Sequence, residues 1–148
     1  MGRRPEVGAR GFTLLELVVT LMVLAVALTI VAPGIGRMSE TIRARAEVAR
    51  FSALLRHARE QAITTRRSHA MVVDPPAHRV SILMGDEVRE TRTLPEHLSV
   101  EAEPPPALTV RFEPHGTSNG GAFRVTSGAA RYRVTVDPLT GRVKVARL

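Results

Sequence analysis

Apolar residues are distributed along the chain in three successive patterns. Residues 12–36 carry one charged side chain, Glu16, and the stretch Leu17–Ala32 carries none. Residues 37–67 mix Arg, Glu, Ala and Leu without Gly or Pro, which is typical of an amphipathic helix. After residue 67, short β-prone runs alternate with turn residues. A helical first half followed by a stranded second half predicts a fold of the α+β class.

Apolar positions recur at helical spacing within residues 37–67, and we predict that this face packs on the stranded part. They are Met38, Ile42, Ala46, Ala49, Ala53 and Ala62, supplemented by Phe51, Leu54 and Leu55. Ahead of this stretch, Pro33, Gly34 and Gly36 interrupt the pattern. Because Pro removes a backbone donor and Gly costs about 1 kcal/mol relative to Ala, we expect a helix kink there. The end of an apolar span accounts for the same three residues.

Eight short runs after residue 67 are predicted strands, separated by Pro-, Gly- and Asp-containing turns. They are Ala70–Val73, Arg79–Leu83, Glu87–Leu94, Leu98–Glu101, Ala107–Phe112, Ala122–Thr126, Arg131–Val136 and Arg142–Ala146. We expect an antiparallel sheet or β-sandwich head, on which a long N-terminal helix packs. Aromatic residues make up only 3% of the chain, so Phe112, Phe123 and Tyr132 are the predicted anchors of the core.

The segment 12–36 is too apolar for a soluble helix. At 1.5 Å per residue it would be about 37 Å long, enough to cross a hydrocarbon core of about 30 Å. A chain of 148 residues has no core large enough to bury a helix that is apolar on every face. The segment is therefore a membrane span or a cleaved secretion signal. The second alternative uses the small pair Ala25 and Ala27 and predicts a mature chain that begins at Leu28.

Glu16 favours the membrane span, because a disposable signal gains nothing from a carboxylate in its apolar region. Such a group costs about 2–3 kcal/mol on insertion scales and needs a named partner. The nearest candidate is an amine freed by cleavage between Gly11 and Phe12. In an assembly of such helices, Glu16 of one subunit would pair with the amine of a neighbour.

The net charge of +7 is concentrated next to the apolar segment. Residues 37–67 hold eight Arg and three Glu, whereas residues 68–148 hold ten basic and nine acidic side chains. A basic flank beside an apolar segment indicates lipid headgroups or acidic groups of a partner, rather than nucleic acid. The absence of cysteine excludes a disulfide framework, a zinc–cysteine site and a thiol nucleophile.

No catalytic constellation stands out, and we predict neither a cofactor, nor a metal, nor an enzymatic activity. His69 and His78 flank Asp74, but their strand and turn settings define no ligand geometry. Ser118 lacks the strand–turn–helix context of a hydrolase nucleophile. The glycines of Gly116–Gly121 are better explained by turns than by phosphate binding, because no Lys-Ser or Lys-Thr pair follows them.

The residues Gly11-Phe12-Thr13-Leu14-Leu15-Glu16, with a basic stretch before and an apolar stretch after them, resemble the class III signal of type IV pilins and pseudopilins. The resemblance implies that a prepilin peptidase cleaves after Gly11 and methylates the amine of Phe12, and that Glu16 acts in assembly. The expected organisation is a leader over residues 1–11, a transmembrane and filament-core helix over 12–36, an amphipathic helix over 37–67 and a β-rich head over 68–148.

Three further segments are similar to the GspH/FimT group of pilin-like proteins. They are the helical Leu54–Ile63, the Gly-rich Arg111–Gly121 and the C-terminal Tyr132–Val143. The resemblance implies a minor pseudopilin of type II secretion. Such a subunit is expected to cross the inner membrane once, with its head in the periplasm, and then to join other pseudopilins in a filament. Its expected partners are those subunits, the prepilin peptidase, inner-membrane lipid and the secretion assembly machinery.

The same group contains minor pilins of type IV pili, some of which are thought to bind DNA through a basic C-terminal stretch. The corresponding residues here are Arg142, Lys144 and Arg147, which are candidate contacts to DNA or to a partner subunit. An edge strand protected by basic side chains explains them better. We therefore favour the secretion subunit and keep the pilus subunit as the alternative.

Overall fold

The computed structural model describes residues 12–148, apart from the side chains of residues 31–38. The chain divides into two compact units, Met1–Ser39 and Glu40–Leu148. Helix α1, Leu14–Thr65, contributes residues to both of them.

Two predictions fall partly on residues that the structure does not describe in full. The leader, which includes Gly11, lies outside the described residues. Pro33, Gly34 and Gly36 lie within the bounds of α1. Their expected kink stays a prediction.

The first unit exposes its apolar surface. Every large apolar side chain from Phe12 to Ile30 is exposed, by 49% at the least and 84% at the most. Within the part of the chain that the structure describes, no helical stretch has the length and apolarity needed to cross a membrane.

The second unit contains eight strands in two antiparallel sheets. The strands are β1 (His69–Asp74), β2 (Arg79–Met84), β3 (Glu87–Thr93), β4 (Leu98–Ala102), β5 (Thr109–Phe112), β6 (Gly121–Ser127), β7 (Ala130–Val136) and β8 (Val143–Arg147). One sheet has the order β3-β2-β1-β5 and the other β4-β6-β7-β8. All eight predicted strands are confirmed, and the head holds two sheets rather than one.

The carboxyl-terminal half of α1 packs on both sheets through a regular stripe. The buried residues on it are spaced alternately by four and three positions: Ala44, Val48, Phe51, Leu55, Ala58 and Ala62. They share one core cluster with residues of both sheets. This alternation keeps one narrow face of the helix turned toward the head.

The predicted helix face is therefore partly wrong. Phe51, Leu55 and Ala62 are buried as expected, but Ile42 and three alanines of the predicted set are exposed: Ala46, Ala49 and Ala53. Alanine is small enough for either solvent or core, so its spacing does not identify the buried face. The large side chains of Phe51 and Leu55 do.

The predicted aromatic anchors are confirmed. Phe112 and Phe123 are fully buried and Tyr132 nearly so. The ring of Phe51 on α1 meets that of Phe123 on β6 edge-on, with centroids 5.5 Å apart and planes at 79°. Such an edge-to-face pair adds about 0.5–1.5 kcal/mol to the gain from burial, and here it joins the helix to a sheet.

Candidate functional site

The amino-terminal end of α1 carries a helix cap that contains the predicted assembly residue. The hydroxyl of Thr13 accepts a hydrogen bond from the backbone N–H of Glu16 at 3.2 Å. The carbonyl of Thr13 accepts one from the N–H of Leu17 at 3.1 Å. Thr13 and Glu16 have the Thr-x-x-Glu spacing of a capping box, and an acid in the first turn is favoured by the helix dipole. Glu16 therefore lies in a first turn whose backbone geometry is held by Thr13.

Phe12 directly precedes this cap, and its side chain is exposed. Of the residues predicted to be cleaved, methylated or used in assembly, the structure describes Phe12 and Glu16 but not Gly11. No contact of the described residues tests those three roles, so they stay predictions.

A second feature joins α1 to two loops of the head, and we call it the Arg59 junction: Arg59, Gly116, Thr140 and Gly141. The Nε–H of Arg59 donates to the carbonyls of Gly116 and Thr140, each at 3.1 Å. Gly116 lies in the β5–β6 loop, whereas Thr140 and Gly141 lie in the β7–β8 loop. One helix side chain thus binds the backbone of two loops, one that connects the two sheets and one that joins neighbouring strands of the second sheet.

The Arg59 junction requires glycine at two positions. Gly141 has a φ of +61°, and a Cβ there would lie 2.2 Å from the carbonyl oxygen of Gly116 and 2.8 Å from Nε of Arg59. Gly116 has a φ of +85°, and a Cβ there would lie 3.1 Å from Nη2 of Arg59. Both glycines therefore allow a backbone conformation that other residues avoid and leave room for the guanidinium.

Hydrogen bonds between the same two loops stiffen the junction. The hydroxyl of Ser118 donates to the carbonyl of Asp137 at 3.1 Å and accepts from the N–H of Gly120 at 3.0 Å. The N–H of Ser118 donates to the carbonyl of Pro138 at 2.8 Å. Ser118 therefore holds the two loops together. These contacts explain why a serine lies at this position, and they assign it no role as a nucleophile.

The carboxylate of Asp137 organises the β7–β8 loop from within. Its Oδ1 accepts hydrogen bonds from the N–H of Leu139 at 3.0 Å, the N–H of Thr140 at 2.9 Å and the hydroxyl of Thr140 at 3.0 Å. These bonds, that from the Thr140 backbone first, lower the pKa of Asp137 below its ordinary value. The loop therefore presents Gly141 and Arg142 in a defined conformation.

A third contact ties α1 to the head through Glu47. Its carboxylate accepts a hydrogen bond from the hydroxyl of Ser127 at 2.6 Å and is 2.5 Å from Nε2 of His97. Burial raises the pKa of Glu47, but the bonds from Ser127 and His97, together with the charges of His97 and Arg50, outweigh it. The pKa of Glu47 therefore lies below its ordinary value.

The residues considered as metal ligands in the sequence analysis lie in different environments. His69 is buried, and its Nδ1 lies 2.9 Å from the carbonyl of Arg67. Asp74 accepts from the N–H of Ala77 and faces Arg79. Between residues 12 and 148, no three His, Cys, Asp or Glu residues are grouped closely enough to hold a metal ion.

The three predicted basic contact residues do not form one cluster. Arg142 precedes β8 and lines a cleft with Arg56 and Arg59. Lys144 and Arg147 lie on β8, an odd number of residues apart, so they point to opposite faces of the sheet. The structure therefore separates these cations and joins only Arg142 to the Arg59 junction.

Sequence reasoning missed the roles of Thr13, Arg59 and Glu47. The Thr-x-x-Glu spacing was a readable signal for Thr13. Arg59 lies inside Leu54–Ile63, one of the segments that resemble the GspH/FimT group. No local sequence rule connects Arg59 to glycines more than 50 residues away. Glu47 lies three residues before Arg50 in the sequence, a spacing that predicts an exposed helix ion pair, whereas its side chain is only 12% exposed.

Comparison with solved structures defines the class of protein. The fold is similar to the type IV minor pilin FimU of Pseudomonas aeruginosa, with a TM-score of 0.61 at 14% identity, over 74% of this chain and 92% of that chain. It is also similar to the minor pseudopilin EpsH of the Type 2 Secretion System of Vibrio cholerae, with a TM-score of 0.54 at 17% identity, over 73% and 96%. These likenesses define an α+β fold of the pilin type, as predicted.

Sequence comparison identifies the family. The prokaryotic N-terminal methylation motif matches residues 8–32, and the profile of the type II transport protein GspH matches residues 47–140. The chain belongs to the GspH family. It is 28% identical to the Type II secretion system protein H of Xanthomonas campestris pv. campestris over 142 residues, 91% of this chain and 82% of that protein. The resemblance predicted from the sequence is confirmed.

Proposed function

We propose that this chain is a minor pseudopilin, a structural and assembly subunit of a type II secretion pseudopilus. The observation that carries the proposal is the presence, in one chain, of the methylation motif over residues 8–32 and the GspH match over residues 47–140. The first part is the signature of a processed, filament-forming amino terminus. The second specifies the secretion branch of the pilin-like proteins.

The proposed maturation begins with a prepilin peptidase. It cleaves the bond between Gly11 and Phe12 and methylates the new amine of Phe12, whose side chain is exposed and therefore accessible. The chain is then held in the inner membrane by residues 12–36, with its head in the periplasm, until it joins the filament. The exposed apolar side chains of this segment support the proposal, because lipid or neighbouring helices would cover them.

Glu16 is proposed to pair with the amine of a neighbouring subunit. Thr13 caps the turn that carries Glu16, so the carboxylate is presented from an ordered helix end. Two opposite charges that meet in an apolar assembly neutralise each other and define the axial register of the helices. In this proposal the chain acts through contacts with other subunits, and no reaction is assigned to it.

The maturation is tested by mass spectrometry of the full-length protein from cells with and without the prepilin peptidase. We expect a mature chain that begins at methylated Phe12 only when the peptidase is present. A chain that begins at Leu28 would identify an ordinary secretion signal. An unprocessed chain in both strains would remove the filament hypothesis.

The alternative function is a minor pilin of a type IV pilus, and the structural likeness to FimU favours it as the second candidate. Deletion of the gene separates the two. The proposed function predicts loss of secreted proteins from the medium while pili and DNA uptake persist. The reverse result would assign the chain to a pilus.

A further inference from the structure

Three arginines line a cleft beside the Arg59 junction. The cleft has a volume of about 390 Å³ and lies between the last turns of α1 and the β7–β8 loop. Arg56, Arg59 and Arg142 contribute its cationic groups, and Glu60 contributes the one carboxylate of its lining. Ile63 and Val143 add an apolar wall. The lining therefore has an excess of positive charge next to apolar surface.

These arginines carry positive charge that the head does not neutralise. Across residues 12–148, Arg56, Arg59 and Arg142 form no ion pair with a carboxylate. On the neighbouring sheet, by contrast, Arg124 and Arg133 both pair with Glu103. The three arginines of the cleft thus lack the carboxylate partner that Arg124 and Arg133 have.

Arg59 gives the cleft a preorganised donor. Its Nε–H is held by the carbonyls of Gly116 and Thr140, so the guanidinium plane is oriented before any ligand arrives. Its terminal NH₂ groups supply further donors in a fixed geometry. A planar guanidinium matches the two oxygens of a carboxylate, and little entropy is lost when its side chain is already ordered.

The lining favours a carboxylate side chain over a sugar-phosphate backbone. On the sheet beside the cleft, Arg124 and Arg133 are both paired with Glu103 and are therefore not free to bind a run of phosphates. Ile63 and Val143 suit the methylene groups of a Glu or Asp side chain. The chemistry therefore matches an acidic side chain on a protein surface better than nucleic acid.

We propose that this cleft is a docking site for an acidic segment of the adjacent filament subunit, with a Glu or Asp carboxylate bound between Arg56, Arg59 and Arg142. The inference rests on the proposed function, since it assumes that the chain has filament neighbours. It assigns Arg142 to a protein interface and separates it from Lys144, which lies on β8 outside the cleft.

The direct test measures binding to the full-length processed protein in detergent. The probes are fluorescein-labelled hexaglutamate, hexaglutamine and a single-stranded oligonucleotide of the same charge as hexaglutamate, followed by fluorescence anisotropy. The variants are Arg142→Glu and Arg56→Glu. Lys144→Glu is the matched control, because it makes the same charge change at an exposed position two residues from Arg142.

We expect Arg142→Glu and Arg56→Glu each to weaken hexaglutamate binding about tenfold, and Lys144→Glu to weaken it less than about twofold. Equal losses in all three variants would overturn the proposal in favour of a diffuse charge effect. Tighter binding of the oligonucleotide, lost in Arg142→Glu, would overturn it in favour of a nucleic-acid surface.

A second test uses cells that produce the whole secretion apparatus. Because the chain has no cysteine, a single introduced cysteine reports cross-linking to neighbours without background from the chain. We expect Arg142→Glu to be processed normally but to enter the filament about tenfold less than Lys144→Glu. If the wild type enters the filament and Arg142→Glu enters it equally well, the proposed docking site is wrong and the proposed function stands. Failure of the wild type itself to enter a filament would overturn the proposed function.

Discussion

Two stretches of helix α1 differ in the exposure of their apolar side chains. Between Phe12 and Ile30 every large apolar side chain is exposed, whereas between Ala44 and Ala62 a stripe of six residues is buried against both sheets. The second stretch completes its packing within the chain, and the first does not. The comparison teaches that the head is stabilised by its own core, whereas the apolar side chains from Phe12 to Ile30 are not covered by the chain itself.

The largest effect on the head is expected from Phe51→Ala. Phe51 is 1% exposed and packs edge-on against Phe123, so its truncation should lower the free energy of unfolding by about 3–5 kcal/mol. Urea unfolding of the full chain in detergent measures the change through Tyr132, a buried side chain and the single tyrosine of the sequence.

Leu24→Ala is the matched control in the exposed stretch of α1, and it should leave that unfolding free energy unchanged. An equal loss in the two variants would contradict the contrast between the two stretches of α1.

Gly141→Ala should have the next largest effect, because it combines a positive φ with a collision. Its Cβ would meet the Gly116 carbonyl at 2.2 Å, and we expect a loss of about 2–3 kcal/mol. Gly128→Ala is the control, since Gly128 has a similar φ of +57° and nothing within 4 Å of an added Cβ. It should cost about 1 kcal/mol. Thermal unfolding compares the two, and equal losses would show that backbone strain alone, rather than the Arg59 junction, determines the effect.

Ser127→Ala should lower stability at neutral pH by about 1–2 kcal/mol, because it removes a hydrogen bond to the Glu47 carboxylate. Since the pKa of Glu47 is lowered in the folded chain, the Glu47 carboxylate becomes protonated at a higher pH in the unfolded chain than in the folded chain. The stabilisation is therefore present at neutral pH and is lost as the pH falls below about 5.

Urea midpoints measured from pH 7 to pH 3 test the sign of this dependence. Ser127→Ala should lose less stability on acidification than the wild type, and the exposed Ser99→Ala should match the wild type. A wild type that gains stability on acidification relative to Ser127→Ala would refute the assigned role of Glu47.

Glu16→Ala should have the smallest effect on the head, near zero, because Glu16 lies in the first unit. We expect normal membrane insertion and processing but strongly reduced entry into the filament, measured by cross-linking through an introduced cysteine. Leu15→Ala serves as a neighbouring control that keeps the carboxylate. Normal entry of Glu16→Ala would rule out the pairing with a neighbour's amine.

Local sequence patterns determined much of this molecule by themselves. Short β-prone runs bounded by Pro, Gly and Asp, several of them with alternating apolar and polar positions, identified all eight strands, because strand propensity and turn chemistry are properties of consecutive residues. The scarcity of aromatic residues identified Phe112, Phe123 and Tyr132 as core anchors. The quoted motifs at the amino terminus and in the head led to the family, which the comparisons bear out.

Only the tertiary structure decided the features that depend on residues far apart in the chain. The two strand orders depend on which apolar faces of the strands pack together. The buried face of α1 is the one on which Phe51 contacts Phe123 of β6. Arg59 joins loops 57 and 81 residues away along the chain. No local pattern encodes such a contact, because a guanidinium between two carbonyls exists only once helix and sheets have packed together.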